Sequence, residues 1–165
     1  MTTRPKRLPE LDQRDHRILD LVQRDGKLAQ AEIARRVGLS TAAVNERLRK
    51  LERAGVIRRW GAIVNPRAVG AGLTAFVEVF IEHPRSEPAF IAKLLALDEV
   101  QECHHITGEF SLLIKVRVRD IEGLQRLLLE ELNPMEGVRQ TRTSLVLSTV
   151  KEESFVPTGA KGETA

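Results

Sequence analysis

Thr41, Asn45, Arg49, Lys50 and Arg53 fall at helical spacing, and all are side chains able to hold phosphates or read base edges. Between them Val44, Leu48 and Leu51 form an apolar seam of the same period. Asn45 is the expected direct base contact, with Thr41 and Arg47 in support. Arg49, Lys50, Arg58 and Arg59 are expected on phosphates, where their counterion release would make binding fall steeply with salt. The segment before them fits. Ser40 stands where an N-cap belongs and joins the expected DNA-binding set. Gly38 permits a tight turn, and small Ala34 lets two helices approach closely. This is the pattern of a helix-turn-helix with a basic recognition helix. An ordinary helical hairpin with a solvated charged face would share the spacing.

Charge distribution separates the two readings. Residues 1–60 carry 15 Lys/Arg against 8 Asp/Glu, a net of +7, whereas the remainder carries 11 against 15, a net of −4. A basic amino-terminal third coinciding with the motif is the footprint of a DNA-binding domain joined to something else. Other chemistry is poorly provided for. His104 and His105 are adjacent on an expected strand, so they point to opposite faces and cannot share one metal or tetrapyrrole. No phosphate-cradling glycine loop or Ser/His/Asp set is recognisable, so no catalytic residue, metal site or cofactor is expected. The lone Cys103 excludes an internal disulfide and suits a reducing compartment. No apolar run approaches the ~18 residues a membrane span needs, and the start lacks the apolar core of a signal peptide.

The elements that must position these residues follow in order. An Asp12/Asp15 capping box opens a first helix that ends near Asp25-Gly26. The helix-turn-helix pair runs from Gln30 to Arg53 and closes at Gly55. Val56 to Val64 reads as an extended segment ended by Asn65-Pro66, with Trp60 as a packing anchor between domains. Then the period changes. Leu73 to His83 is a strand with Ala75, Val77, Val79 and Ile81 on one face and Phe76, Glu78, Phe80 and Glu82 on the other. Ser86 starts a helix through Leu97. Val100–Thr107 and Phe110–Arg119 form a hairpin about Gly108-Glu109. Asp120 caps a helix ended by Asn133-Pro134, and Val138 to Val150 is the last strand. The order strand-helix-strand-strand-helix-strand gives a ferredoxin-like βαββαβ domain with two helices on one sheet face. The expected fold class is therefore α+β. Its divisions are a flexible arm (1–10), a helix-turn-helix domain (11–59), a strand or hinge linker (60–72), the ferredoxin-like domain (73–151) and a tail (152–165), expected to be disordered from Pro157 onward. Both domains are small enough to be marginal alone, and the uncovered sheet face mixes Phe with Glu and Lys, so face-to-face dimerisation is expected.

In this order and at this size the chain resembles the Lrp/AsnC, or feast/famine, transcription regulators. The resemblance is carried by Leu11-Asp12, Ile18-Leu19, Asp25-Gly26, the run Ile33–Ser40 and the run Arg47–Ile57. In the second half it is carried by Thr107-Gly108-Glu109, Leu113, Lys115-Val116, Gly137-Val138, Thr141, Thr143 and Val150-Lys151. It implies an amino-acid effector held near the turn between the second and third strands, which maps onto Ile106, Thr107, Gly108, Glu109, Phe110 and Ser111, with Thr141 and Thr143. A carboxylate would meet the exposed backbone of the Gly turn and an ammonium would meet Glu109. The resemblance also implies double-stranded DNA as partner and dimers built through the second domain, assembling to octamers. It implies a cytoplasmic, nucleoid-associated protein without membrane contact. The chain departs from the family pattern at Phe110-Ser111, where an aromatic is usually followed by Asp, and at Ala29-Gln30, a poor cap for the second helix. Two other classes fit the layout: an effector-independent DNA-architectural protein, and an enzyme of the sirohaem decarboxylase type.

Overall fold

The computed structural model describes residues 8–159. The expected arm therefore lies mostly outside the described residues, as does the end of the tail. The chain divides into two units, one of residues up to 62 together with those from 152, the other of residues 63–151.

In the first unit three helices, α1 (Gln13–Arg24), α2 (Gln30–Val37) and α3 (Thr41–Arg53), close on Ile18, Val22, Ile33, Ala34, Val37, Val44 and Leu48. The capping box forms as expected, with the Asp12 and Asp15 carboxylates each accepting the other's backbone N–H. Gly38 caps α2 in the left-handed region at φ 65°, and Ala29 supplies α2 with no side-chain cap. The end of α1 differs from expectation. Its cap is extended Asp25, whose carboxylate accepts the Lys27 N–H at 2.9 Å, so a side-chain turn rather than Gly26 stops the helix.

Three further expectations are corrected here. No strand forms between residues 56 and 72, and the only regular element there is a 3-10 turn, Pro66–Val69. Asn65 caps that turn by accepting from the Arg67 N–H, a local bond that competes with strand pairing. Trp60 is an anchor within the first unit. Its ring lies beside Gly26, and its indole N–H donates to Glu52 at 2.6 Å. Finally, the described part of the tail does not stand free. Gln23 receives the Val156 N–H at 2.9 Å and donates to the Val156 carbonyl at 3.1 Å, an amide imitating a strand partner. Thr158 donates to Asp20, and the Arg24 guanidinium covers the Phe155 ring.

The second unit is the expected antiparallel sheet, β1 (Leu73–Ile81), β2 (Val100–His105), β3 (Leu112–Val118) and β4 (Val138–Leu145), in the order β2-β3-β1-β4. Ala75, Val77, Val79 and Ile81 of β1 join Leu112, Ile114, Val116 and Val118 of β3 in a core closed by Phe90, Leu94, Leu124, Leu127 and Leu132. The last five come from α4 (Glu87–Leu94) and from α5 (Ile121–Arg126) with its π-helical continuation Leu127–Leu132. Strand ends are shorter than expected, and β4 stops at Leu145, five residues before Val150. Leu147 and Val150 are almost fully exposed, so apolar character there does not mark a strand.

Candidate nucleic-acid interface and effector turn

α3 is held by its own apolar seam. Val44, Leu48 and Leu51 are buried, and Ser40 spends its hydroxyl oxygen accepting the Ala43 N–H at 3.2 Å, so its role is to start the helix. The exposed residues of α3 are then Thr41, Ala42, Glu46, Arg49, Lys50, Glu52 and Arg53, with Glu52 engaged by the Trp60 indole. Arg58 and Arg59 are exposed just beyond it. Glu46 is a surface residue that sequence reasoning missed. It pairs with Arg53 at 3.0 Å and can accept from a cytosine amino group. Its place two positions past the buried Val44 was the signal available.

Two expected DNA residues sit elsewhere. Asn45 is half-buried, its Oδ1 sealed from solvent and without a hydrogen-bond partner among the described residues. It helps line a cavity of about 470 Å³ with Gln30, Ile33, Arg49, Glu52 and Trp60. Arg47 turns to the opposite flank. Its Nη1 donates to Asp12 Oδ2 and Asp15 Oδ1, both at 2.7 Å. Those bonds, the one to Asp15 foremost, raise the Arg47 pKa. The backbone N–H of Asp15 and the guanidinium together hold the Asp12 carboxyl below its ordinary range. Both placements follow from the width of the apolar seam. Residues 45 and 47 straddle buried Val44 and Leu48, on the shoulders of the helix rather than its crest.

The turn between β2 and β3 is tied at both sides. The Ile106 N–H donates to the Ser111 carbonyl, and the Ser111 N–H donates to Val79, each at 3.0 Å. Gly108 has φ 123°, a conformation closed to other residues, and Thr107 and Glu109 are exposed around it. Phe110 is buried beneath the Arg142 guanidinium, 4.6 Å from the ring centroid. Arg142 also grips Glu78 through two nitrogens, which lowers the Glu78 pKa, and it feels the charge of Glu109. Sequence reasoning missed Arg142, although it stands between the two threonines singled out.

Those threonines share one face of the sheet, and it is the face opposite Arg142. Thr141 and Thr143 pair with Val79 and Val77, whose side chains enter the helix-covered core, and the Thr141 hydroxyl donates to Asn133. Arg142 pairs with Glu78 on the uncovered face. The histidines likewise part company. His104 meets Glu102 at 3.2 Å, while His105 meets Glu87 at 2.8 Å.

A basic helix-turn-helix unit joined to a ferredoxin-like unit with an anchored glycine turn defines a DNA-binding regulator with a ligand-binding module. The comparisons with known proteins specify which. Residues 11–58 match a winged helix-turn-helix DNA-binding model, and residues 74–156 match the Lrp/AsnC ligand binding domain. The leucine-responsive regulatory protein of Salmonella typhimurium is 40% identical over 147 residues, 88% of this chain and 90% of the relative. A Neisseria meningitidis transcriptional regulator solved with L-methionine superposes with a TM-score of 0.86 at 32% identity, over 91% of this chain and 98% of its own. The M. tuberculosis feast or famine regulatory protein complexed with L-methionine gives 0.82 at 34%, over 89% and 99%. The chain belongs to the Lrp/AsnC family of transcription regulators.

Proposed function

We propose that this protein binds operator DNA through the exposed side of α3 as a homo-oligomer, and that an amino acid at the 106–111 turn changes how its heads act together. The observation that carries the reading is the anchored turn. Gly108 is left-handed, Glu109 projects beside it, and Arg142 over Phe110 holds the base of the loop rigid. An α-carboxylate finds exposed backbone N–H groups there, and an α-ammonium finds Glu109. The L-methionine complexes of two similar structures support an amino acid as the ligand class. Thr41, Arg49 and Lys50, with Arg58 and Arg59, bear on DNA. Asn45 reaches it only through its shoulder position.

The uncovered sheet face, with Phe76, Phe80, Glu78 and Lys115, is the dimerisation surface of this reading, and octamers are the larger assembly. The protein acts where the DNA is, in the cytoplasm. Coupling between ligand and assembly is reciprocal, so a ligand that favours one assembly is itself bound better by it. The test is calorimetry of the full chain with the common amino acids. Glu109→Gln weakens binding and Ser111→Asp strengthens it. No heat for either the parent or Ser111→Asp overturns the effector reading. A second reading, a DNA-architectural protein without effector, is favoured by one observation: Ser111 offers a hydroxyl where the family pattern has a carboxylate.

A further inference from the structure

We propose that Arg47 is a positioning residue that locks the DNA-reading helix onto the start of α1, and that Asp12 and Asp15 are its two receiving ends. The proposal rests on α3 being the helix that meets DNA.

The bonds leave no carboxylate oxygen idle. Asp12 Oδ1 accepts the Asp15 N–H at 2.8 Å, and Asp12 Oδ2 accepts Arg47 at 2.7 Å. Asp15 Oδ2 accepts the Asp12 N–H at 3.1 Å, and Asp15 Oδ1 accepts Arg47 at 2.7 Å. A capping box needs only the first and third of these bonds. The other oxygen of each acid is turned toward α3, 32 and 35 residues away in sequence. Arg47 is well placed to use them. Its side chain is 27% exposed and that of Asp15 only 8%, so the pair is shielded from the screening that weakens surface ion pairs.

The lock bears on DNA binding through geometry. Hydrophobic seams set the separation of helices well but allow sliding and rotation, whereas a guanidinium shared by two fixed carboxylates admits one arrangement. Here it fixes the rotation of α3 about its own axis, and so the aim of Thr41, Arg49 and Lys50. Consumed in this way, the Arg47 charge is not offered to a phosphate. Its single positive charge offsets one of the two negative charges of Asp12 and Asp15, so the cluster keeps a net −1.

That arrangement predicts an effect opposite in sign to simple electrostatics. Removing a carboxylate near a polyanion should tighten binding, but here Asp12→Asn and Asp15→Asn each weaken it. The experiment uses the full chain and a duplex that the wild type selects from a random pool, titrated by fluorescence anisotropy over a range of salt. Stoichiometric titration of each variant gives its competent fraction, so a loss of folded protein is separated from a loss of affinity in the competent part. Arg47→Ala and Asp15→Asn raise the Kd of the competent protein about tenfold or more, with the salt slope unchanged. Arg47→Lys, which reaches one carboxylate, recovers part of it. Asp12, half-exposed, gives a variant that tolerates the change structurally. Arg49→Ala serves as the control and reduces the slope by about 0.9, the share of one phosphate. A slope reduced by that amount in Arg47→Ala overturns the proposal and makes Arg47 a phosphate contact. Unchanged or tighter binding by Asp15→Asn also overturns it. A control slope that does not move shows instead that Arg49 bears no phosphate, which counts against α3 as the reading helix and leaves the lock to be judged on the Asp variants.

Discussion

Gly137 opens β4 at φ 87°, and a Cβ placed on it would stand 2.4 Å from Ser86 Cβ and 2.8 Å from Ser86 Oγ. Gly137→Ala therefore meets two costs. Holding an L-residue in the left-handed region costs about 1–2 kcal/mol. Forcing a methyl into a filled site costs about 1–3 kcal/mol, since Ser86 is buried and cannot swing out. The two together give roughly 2–5 kcal/mol, or a fall of about 1–3 M in the urea midpoint of the second unit. The costs can be separated. Ser86 precedes α4 but makes no side-chain capping bond, so Ser86→Gly is cheap by itself and should return the steric part in the double variant. The only Trp, Trp60, belongs to the first unit, so its fluorescence follows that unit while far-UV circular dichroism follows both. The expected result is an early circular-dichroism transition with the fluorescence transition in place. A cost below about 1 kcal/mol, or no recovery with Ser86→Gly, would refute the steric reasoning.

Acid should weaken the fold in a definite window. Glu32, gripped first by Arg35 and then by Arg36, is pushed down to about 2 from 4.5, and Asp12, Glu78 and Glu102 are also lowered. A group depressed in the folded state stabilises above its unfolded pKa and loses that contribution as pH falls through the folded value. Urea midpoints should therefore drop progressively from about pH 5 down to about pH 2, and a flat profile there contradicts the assignment. Removing residues 154–165 takes away the Gln23–Val156 and Thr158–Asp20 bonds, so the Trp60 transition should move down by about 1–2 kcal/mol. Gln23→Ala should reproduce part of that loss and speed hydrogen exchange at the Val156 amide. If neither variant changes the transition, the tail contributes nothing to the first unit.

What the sequence disclosed depends on how local its cause was. The capping box of α1, the left-handed Gly38 and the alternation of Ala75, Val77, Val79 and Ile81 each arise from neighbours within a few residues, and each stands where the pattern placed it. The alternation of elements, strand-helix-strand-strand-helix-strand, was legible because the hydrophobic period changes at each boundary, while the order β2-β3-β1-β4 came from the structure. The misses are long-range. Nothing near Arg47 in the sequence announces that two acids more than thirty residues earlier will claim its charge. Nor does the short run Phe155–Thr158, set between Ser154 and Gly159, announce that α1 will receive it. Thr141 and Thr143 were singled out, but the register with β1 turns them to the helix side and leaves Arg142 on the other.

An amino-acid-responsive DNA-binding regulator is tested most directly by one titration. Labelled duplex selected by the wild type is titrated with the full chain, with and without each common amino acid in excess, and anisotropy is read as affinity and stoichiometry. At least one amino acid, L-methionine first among those to try, should shift the curve, and Glu109→Gln should abolish the shift while leaving the ligand-free curve in place. Superimposable curves for every amino acid, in the parent and in Ser111→Asp alike, would contradict it and leave a DNA-architectural protein in its place.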